Sequence, residues 1–226
     1  MCMEMYELRH KACNRSIILE KMAKPKKTYF SYIVGIDEAG RGPLAGPVAV
    51  GLVCIPVNFN KKLFGKAKDS KQLSEKIREE IFLETKKLHR DGVLTYAVSM
   101  VHADVIDTKG ITYAIKLCIK RCLKKCGVSP EETMVLLDGS LKAPRVYVHQ
   151  KTIIRGDQKE KVISLASIMA KVTRDRWMKK VALKYPEYGF EIHKGYGTKI
   201  HRESIKKNGL SSVHRKSFLT RIEIGP

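Results

Sequence analysis

Apolar positions along the chain switch between the two-residue repeat of strands and the longer repeat of helices. Residues 32–37 form an apolar run that reads as a buried strand, and residues 48–55 form a second. The Gly/Pro-rich turn between them is short, which predicts an antiparallel pair. Ser74 is placed to cap a helix that carries Ile77, Ile81, Leu83 and Leu88 and stops at Gly92. Residues 93–101 alternate as a strand does. Residues 102–126 are mainly helical, with Gly127 as the stop. The run 133–137 is a strand that delivers Asp138 at its C-terminal end, and 146–148 and 151–154 are short β candidates. Val162, Leu165, Ala166, Met169, Val172, Trp177 and Val181 define a helix over about 160–184, ended by Pro186. Thr198 caps a last short helix to about Lys207. Strands mixed with helices predict an α/β protein, one sheet with helices on its faces. There is no internal repeat.

Length and charge narrow the class. The 226 residues suit one globular domain with tails, and 43% hydrophobic residues supply a core. We expect a basic N-terminal tail over 1–30, a catalytic domain over 31–218 that includes a C-terminal helical region, and a tail over 219–226. The tail 1–30 holds seven Lys/Arg against three Glu. Over the whole chain, 44 Lys+Arg against 23 Asp+Glu give a net charge of +21. Such an excess points to a polyanionic partner, with nucleic acid ahead of an anionic membrane because no long basic amphipathic helix with large apolar anchors is visible. Prolines 43, 47 and 56 break the longest uncharged stretch, so no membrane span is expected, and charges recur through the first 30 residues, unlike a secretory signal. Cys118, Cys122 and Cys126 stack on one helix face. A redox or metal role competes there with the plainer reading of small core residues in an apolar stripe, and the absence of CxxC spacing favours a reducing compartment.

Candidate chemistry lies where acids meet glycine: Asp37-Glu38, Asp138-Gly139 and Gly156-Asp157. Carboxylates at strand ends suit hard cations, and open α/β sheets place their sites at the C-terminal ends of strands. If the strands ending in Asp37 and Asp138 are parallel neighbours, their acids converge. Crowded carboxylates repel, and two divalent ions would relieve that while activating water and stabilising a leaving oxygen in a phosphodiester displacement. In an ideal strand Asp37 and Glu38 point to opposite faces, so both reach one site only if the strand ends or twists there. Taken singly, each Asp-Gly is an ordinary turn.

The residues also carry a resemblance. Gly35-Ile36-Asp37-Glu38-Ala39-Gly40-Arg41-Gly42-Pro43-Leu44-Ala45-Gly46-Pro47 resembles the signature of the ribonuclease HII family in its bacterial form. So do Asp69-Ser70-Lys71-Gln72-Leu73, Leu137-Asp138-Gly139, Arg155-Gly156-Asp157, the run from Ser164 to Asp175, Tyr188-Gly189-Phe190 and Lys194-Gly195-Tyr196-Gly197-Thr198. The match covers about 31–218 in order.

The resemblance implies a ribonuclease H-like fold, a five-stranded mixed sheet flanked by helices with a C-terminal helical extension. It implies cleavage of the RNA strand of RNA–DNA hybrids and incision 5′ of ribonucleotides embedded in duplex DNA, leaving a 3′-hydroxyl and a 5′-phosphate. The biological role would be removal of misincorporated ribonucleotides and RNA primers. The implied catalytic and metal-holding tetrad is Asp37, Glu38, Asp138 and Asp157, with two ions, Mg²⁺ or Mn²⁺. Gly40, Arg41 and Gly42 would read the 2′-hydroxyl and grip the phosphate, and Tyr196 would pack on the neighbouring deoxyribose. Lys71, Lys171 and Arg174 are expected phosphate contacts. The 2′-hydroxyl is the sugar group that distinguishes RNA from DNA at one nucleotide, so a backbone that approaches closely suits the task. We expect a monomer acting in the cytoplasm. Asp175 reads as a structural partner of a nearby Lys or Arg, and Asp69 as a turn or cap residue. His193, His201 and His214 lack zinc-like spacing; His214 reads as packed or nucleic-acid-facing. The rivals are a ribonuclease HIII-like enzyme, which would need a larger N-terminal domain, and a non-catalytic nucleic-acid-binding protein.

Overall fold

A computed structural model describes residues 30–60 and 73–220. Residues 1–29 of the expected basic tail, Asp69, Lys71, and 221–226 lie outside the described residues. Along the chain run β1 (Tyr32–Ala39), β2 (Val48–Pro56), α1 (Glu75–Arg90), β3 (Thr95–Val101), α2 (Ala103–Lys109) and α3 (Ile111–Cys126). There follow β4 (Thr133–Asp138), β5 (Gln150–Ile153), α4 (Gly156–Lys159), α5 (Lys161–Lys184), α6 (Phe190–His193) and α7 (Lys199–Asn208). The sheet is five-stranded and mixed, in the order β3-β2-β1-β4-β5. β1 pairs antiparallel with β2, as the tight turn predicts, and parallel with β4.

Alternation along β1 divides the core. Val34 and Ile36 face one side, where Ile106, Ala114, Ile115, Cys118, Ile119, Cys122 and Leu123 cover the sheet. The cysteine stripe is therefore core, with Cys118 and Cys122 fully buried. The other side is covered by α5, backed by Phe82 of α1. Every residue from Val162 to Ala170 is buried, because this half of α5 lies between the sheet and α1. Each fully buried Ile or Leu here stabilises by roughly 1.5–3 kcal/mol. The approach is close: a Cβ on Gly35 would lie 2.4 Å from the Val162 backbone, and one on Gly51 2.1 Å from Ala166 O. A third cluster joins Ala45 to Met178, Tyr188, Phe190, Ile205 and Leu219, so the C-terminal helical region packs against the turn that follows β1.

One expectation is refined and one changes. The mainly helical stretch 102–126 is two helices parted at Gly110, whose φ of 83° turns the chain while its N–H closes α2 on Ile106 O at 2.8 Å. Residues 146–148 are not a strand. Tyr147 N–H bonds back to Pro144 O at 2.9 Å, and the Gln150 side chain ties the loop to Ala143 and Tyr147. Ser74 and Thr198 cap α1 and α7 as expected, accepting from Ile77 N–H and His201 N–H. Among the described residues no helix is long and apolar enough to cross a membrane.

Candidate active site

The parallel ladder between β1 and β4 ends at Ile36↔Leu137, whereas β1 stays paired to β2 as far as Ala39. The two parallel strands therefore part just where Asp37 and Asp138 stand. Asp37 faces α5: it is 3% exposed, bonds the Ser167 hydroxyl, and accepts Glu38 N–H at 2.7 Å. Burial pushes its carboxyl up to about 8, with Asp138 and Glu38 adding to the rise and Ser167 opposing it. Burial also raises Glu38, Arg41 offsets this, and Asp138 adds to it. Asp138 thus acts electrostatically on both neighbours.

Asp138 Oδ1 accepts Gly156 N–H at 2.6 Å. This bond ties the end of β4 to α4, which carries the buried Asp157. Arg155 enters α4 in the left-handed region with φ 56°, a conformation that costs energy for a residue with a side chain. As they stand, no three His, Cys, Asp or Glu side chains among the described residues are gathered tightly enough to hold an ion. The donor set is nonetheless all carboxylate, and although burial is the main cause of the rise at Asp37, Asp138 and Glu38 add a repulsion that a divalent cation would relieve. On that observation the residues fit Mg²⁺ or Mn²⁺.

Beside the acids lies an open groove of about 320 Å³, lined by Glu38, Gly40-Arg41-Gly42, Arg78, Ser167, Lys171 and Tyr196. Arg41 is half-exposed and reaches Glu38 Oε1 at 3.4 Å. Lys171 is held by Asp175 at 2.8 Å, so Asp175 is the structural partner expected of it. Lys171 Nζ lies 5.9 Å from the ring centre of the exposed Tyr196. Five of the sequence-derived substrate contacts, Gly40, Arg41, Gly42, Lys171 and Tyr196, thus share one groove.

Arg174 is the correction. Its side chain is fully buried behind the turn, donating to Pro47 O at 2.8 Å and Ala45 O at 3.2 Å, so it has no surface to offer a phosphate. Gly40 is required there. Its φ is 84°, and a Cβ would lie 2.0 Å from Arg174 Nε. Sequence reasoning gave no role to Ser167, Arg78 or Arg215. Ser167 lies one helical turn before Lys171 on α5, a spacing that could have flagged it.

The three histidines are packed rather than nucleic-acid-facing. His193 stacks on His201 with ring centres 4.4 Å apart, and His201 Nε2 meets His214 Nε2 at 3.1 Å. The tautomers follow from the backbone. Ser211 N–H donates to His214 Nδ1, so the His214 proton sits on Nε2 and is donated to His201 Nε2. His201 Nδ1–H then donates to Tyr196 O at 2.9 Å. This neutral chain holds the loop that presents Tyr196.

A model of the family described as ribonuclease HII matches residues 34–221. The ribonuclease HII of Endomicrobium trichonymphae is 43% identical over 189 residues, spanning 84% of this chain and 86% of that protein. That of Caldicellulosiruptor bescii is 43% identical over 193 residues, spanning 85% and 89%. Among solved structures, ribonuclease H2 from Pyrococcus horikoshii superposes with a TM-score of 0.66 at 26% identity, covering 82% of this chain and 93% of its own.

Proposed function

This chain belongs to the ribonuclease HII family and is a ribonuclease H acting on RNA–DNA hybrids, and from that premise we propose that it also incises duplex DNA 5′ of single embedded ribonucleotides. Membership of this family sets aside the ribonuclease HIII-like reading, and enzymatic activity sets aside a non-catalytic binding protein. The reaction leaves a 3′-hydroxyl and a 5′-phosphate and serves removal of misincorporated ribonucleotides and RNA primers. The enzyme acts as a monomer in the cytoplasm.

The observation that carries the proposal is the parting of β1 from β4 beyond Ile36↔Leu137, beside a groove floored by Gly40-Arg41-Gly42. Asp37, Glu38, Asp138 and Asp157 would hold two divalent ions, and these would supply activated water and stabilise the leaving oxygen. Ser167 and the Glu38 N–H orient Asp37, and the Gly156 N–H orients Asp138. The Arg41–Glu38 pair is long and half-exposed, so a phosphate can draw the guanidinium away at little cost. Backbone groups of Gly40-Arg41-Gly42 bond the 2′-hydroxyl. Tyr196 packs its ring on a sugar that lacks that group, and Lys171 and Lys71 contact phosphates.

The test is a duplex containing one ribonucleotide, incubated with Mg²⁺ or with chelator, with the ends of the products analysed. Mg²⁺-dependent incision on the 5′ side with a free 3′-hydroxyl is expected. Binding without any Mg²⁺-dependent cut would remove the proposal.

A further inference from the structure

The turn from Gly40 to Pro47 is held from behind by two buried guanidiniums. Arg215 Nη2 donates to Gly40 O at 2.7 Å, Nη1 to Arg41 O at 3.0 Å and Nε to Gly46 O at 2.9 Å. Arg174 takes the carbonyls of Ala45 and Pro47. Five carbonyls of one turn are thus drawn inward by two side chains that are 0% exposed. Among the described residues neither guanidinium pairs directly with a carboxylate, although Asp107 acts on Arg215 and Asp175 on Arg174 from farther off. Arg215 is itself fixed. Its N–H donates to Leu44 O at 2.8 Å, and the next two backbone N–H groups, of Lys216 and Ser217, donate to Asp107 of α2 at 2.9 Å each.

The geometry of the peptide bond gives this a consequence at the surface. In a trans peptide the N–H points opposite to the C=O of the preceding residue. Drawing Gly40 O and Arg41 O inward therefore turns the N–H groups of Arg41 and Gly42 outward, toward the groove that these residues line. Neither N–H has a hydrogen-bond partner among the described residues. Two successive outward amides backed by two buried guanidiniums form a concavity for an oxygen-rich, anionic ligand. A lysine at 215 could not reproduce this, because only a planar fork of five donors reaches three carbonyls at once.

We propose that Arg215, with Arg174 beside it, is a positioning residue for ribose recognition: it sets the Gly40-Arg41-Gly42 backbone so that its amides meet the 2′-hydroxyl and adjoining phosphate. This rests on the reading of the groove given above and assigns the part of the chain that shapes it. The segment after α7 thereby decides selectivity from behind the site, without touching substrate.

The test measures selectivity of binding in Asp138→Asn protein, which is expected to hold substrate without cutting it. Affinity for a duplex with one ribonucleotide is compared with that for the same all-DNA duplex, for Arg215 and for Arg215→Lys. Both proteins are held well below their melting temperatures, with near-UV circular dichroism confirming the fold. The inference expects Arg215→Lys to lose most of the preference, at least about tenfold, while salt-dependent affinity for all-DNA duplex changes little. A folded Arg215→Lys protein with its preference intact would overturn it. If Arg215→Lys does not fold, amide hydrogen exchange in the Asp138→Asn protein decides. Protection of the Arg41 and Gly42 amides by ribonucleotide duplex, and not by all-DNA duplex, supports the inference; equal protection, or none, overturns it. Unmodified protein that never cuts the ribonucleotide duplex removes the underlying reading instead.

Discussion

Gly156 N–H donates to Asp138 Oδ1 at 2.6 Å, fastening the acid at the end of β4 to the short helix that carries Asp157. A Cβ at Gly156 would stand 2.7 Å from Ile163 Cδ1 and 3.3 Å from Asp138 Oδ1. The isoleucine end can yield, at about 1–3 kcal/mol for overpacking, but Asp138 must move with it. Gly156→Ala is expected to lower kcat by about 10- to 100-fold, about 1.4–2.7 kcal/mol of barrier, with a modest fall in Tm. Steady-state kinetics beside thermal melts check this, and an unchanged kcat would show that the bond does not position Asp138.

The Asp37 carboxyl is held up to about 8 by burial and neighbouring acids, and the bond from Ser167 opposes that rise. A raised acid favours its protonated form in the folded chain, so between about 4 and 8 the ion-free protein loses stability as pH rises, and binding a cation must expel a proton. Apparent Mn²⁺ affinity should therefore climb with pH, by up to about tenfold per unit per proton released, and level off above about 8. Ser167→Ala removes the opposing bond, so the levelling should move to higher pH. Calorimetric titrations in buffers of different ionisation heat count the proton; a pH-independent affinity would contradict the assignment.

Burial holds His201 and His214 down to about 4, from an ordinary 6.5, with His193 adding to the fall at both and His201 adding to it at His214. Folded rings thus bind fewer protons than unfolded ones in that window. Their contribution is complete above about 6.5 and is lost as pH falls toward 4, on the order of a few kcal/mol for the pair. Protonation would also set N–H against N–H across the 3.1 Å contact. Tm should fall as pH drops from 7 to 4, and His214→Gln, less stable at pH 7, should show a flatter decline. Parallel curves for the two proteins would refute this.

Four of the strands were legible from apolar or alternating runs, α1 and α7 from their caps, and α5 from its apolar positions and the proline beyond its end. The break at Gly110 was hidden inside a stripe whose helical period runs on either side of it. The four acids could be named from the motif, and the groove residues Gly40, Arg41, Gly42, Lys171 and Tyr196 came with them. Arg174 was misread because a charged residue on a helix ordinarily reads as solvated, whereas this one satisfies carbonyls 127 and 129 residues away. Arg215 was silent for a related reason. Its partners are backbone carbonyls as far as 175 residues earlier, and carbonyls leave no mark on residue identity.

The central claim is that strand-end acids perform the chemistry and leave recognition to the groove. Asp138→Asn tests it most directly, with cleavage and binding measured on one duplex bearing a single ribonucleotide. The variant keeps a side-chain oxygen that can accept Gly156 N–H but removes the charge that acts on Asp37 and Glu38. Cleavage should fall at least about a thousandfold, about 4 kcal/mol of barrier, while preferential binding to the ribonucleotide duplex persists. Full cleavage by Asp138→Asn would contradict the account.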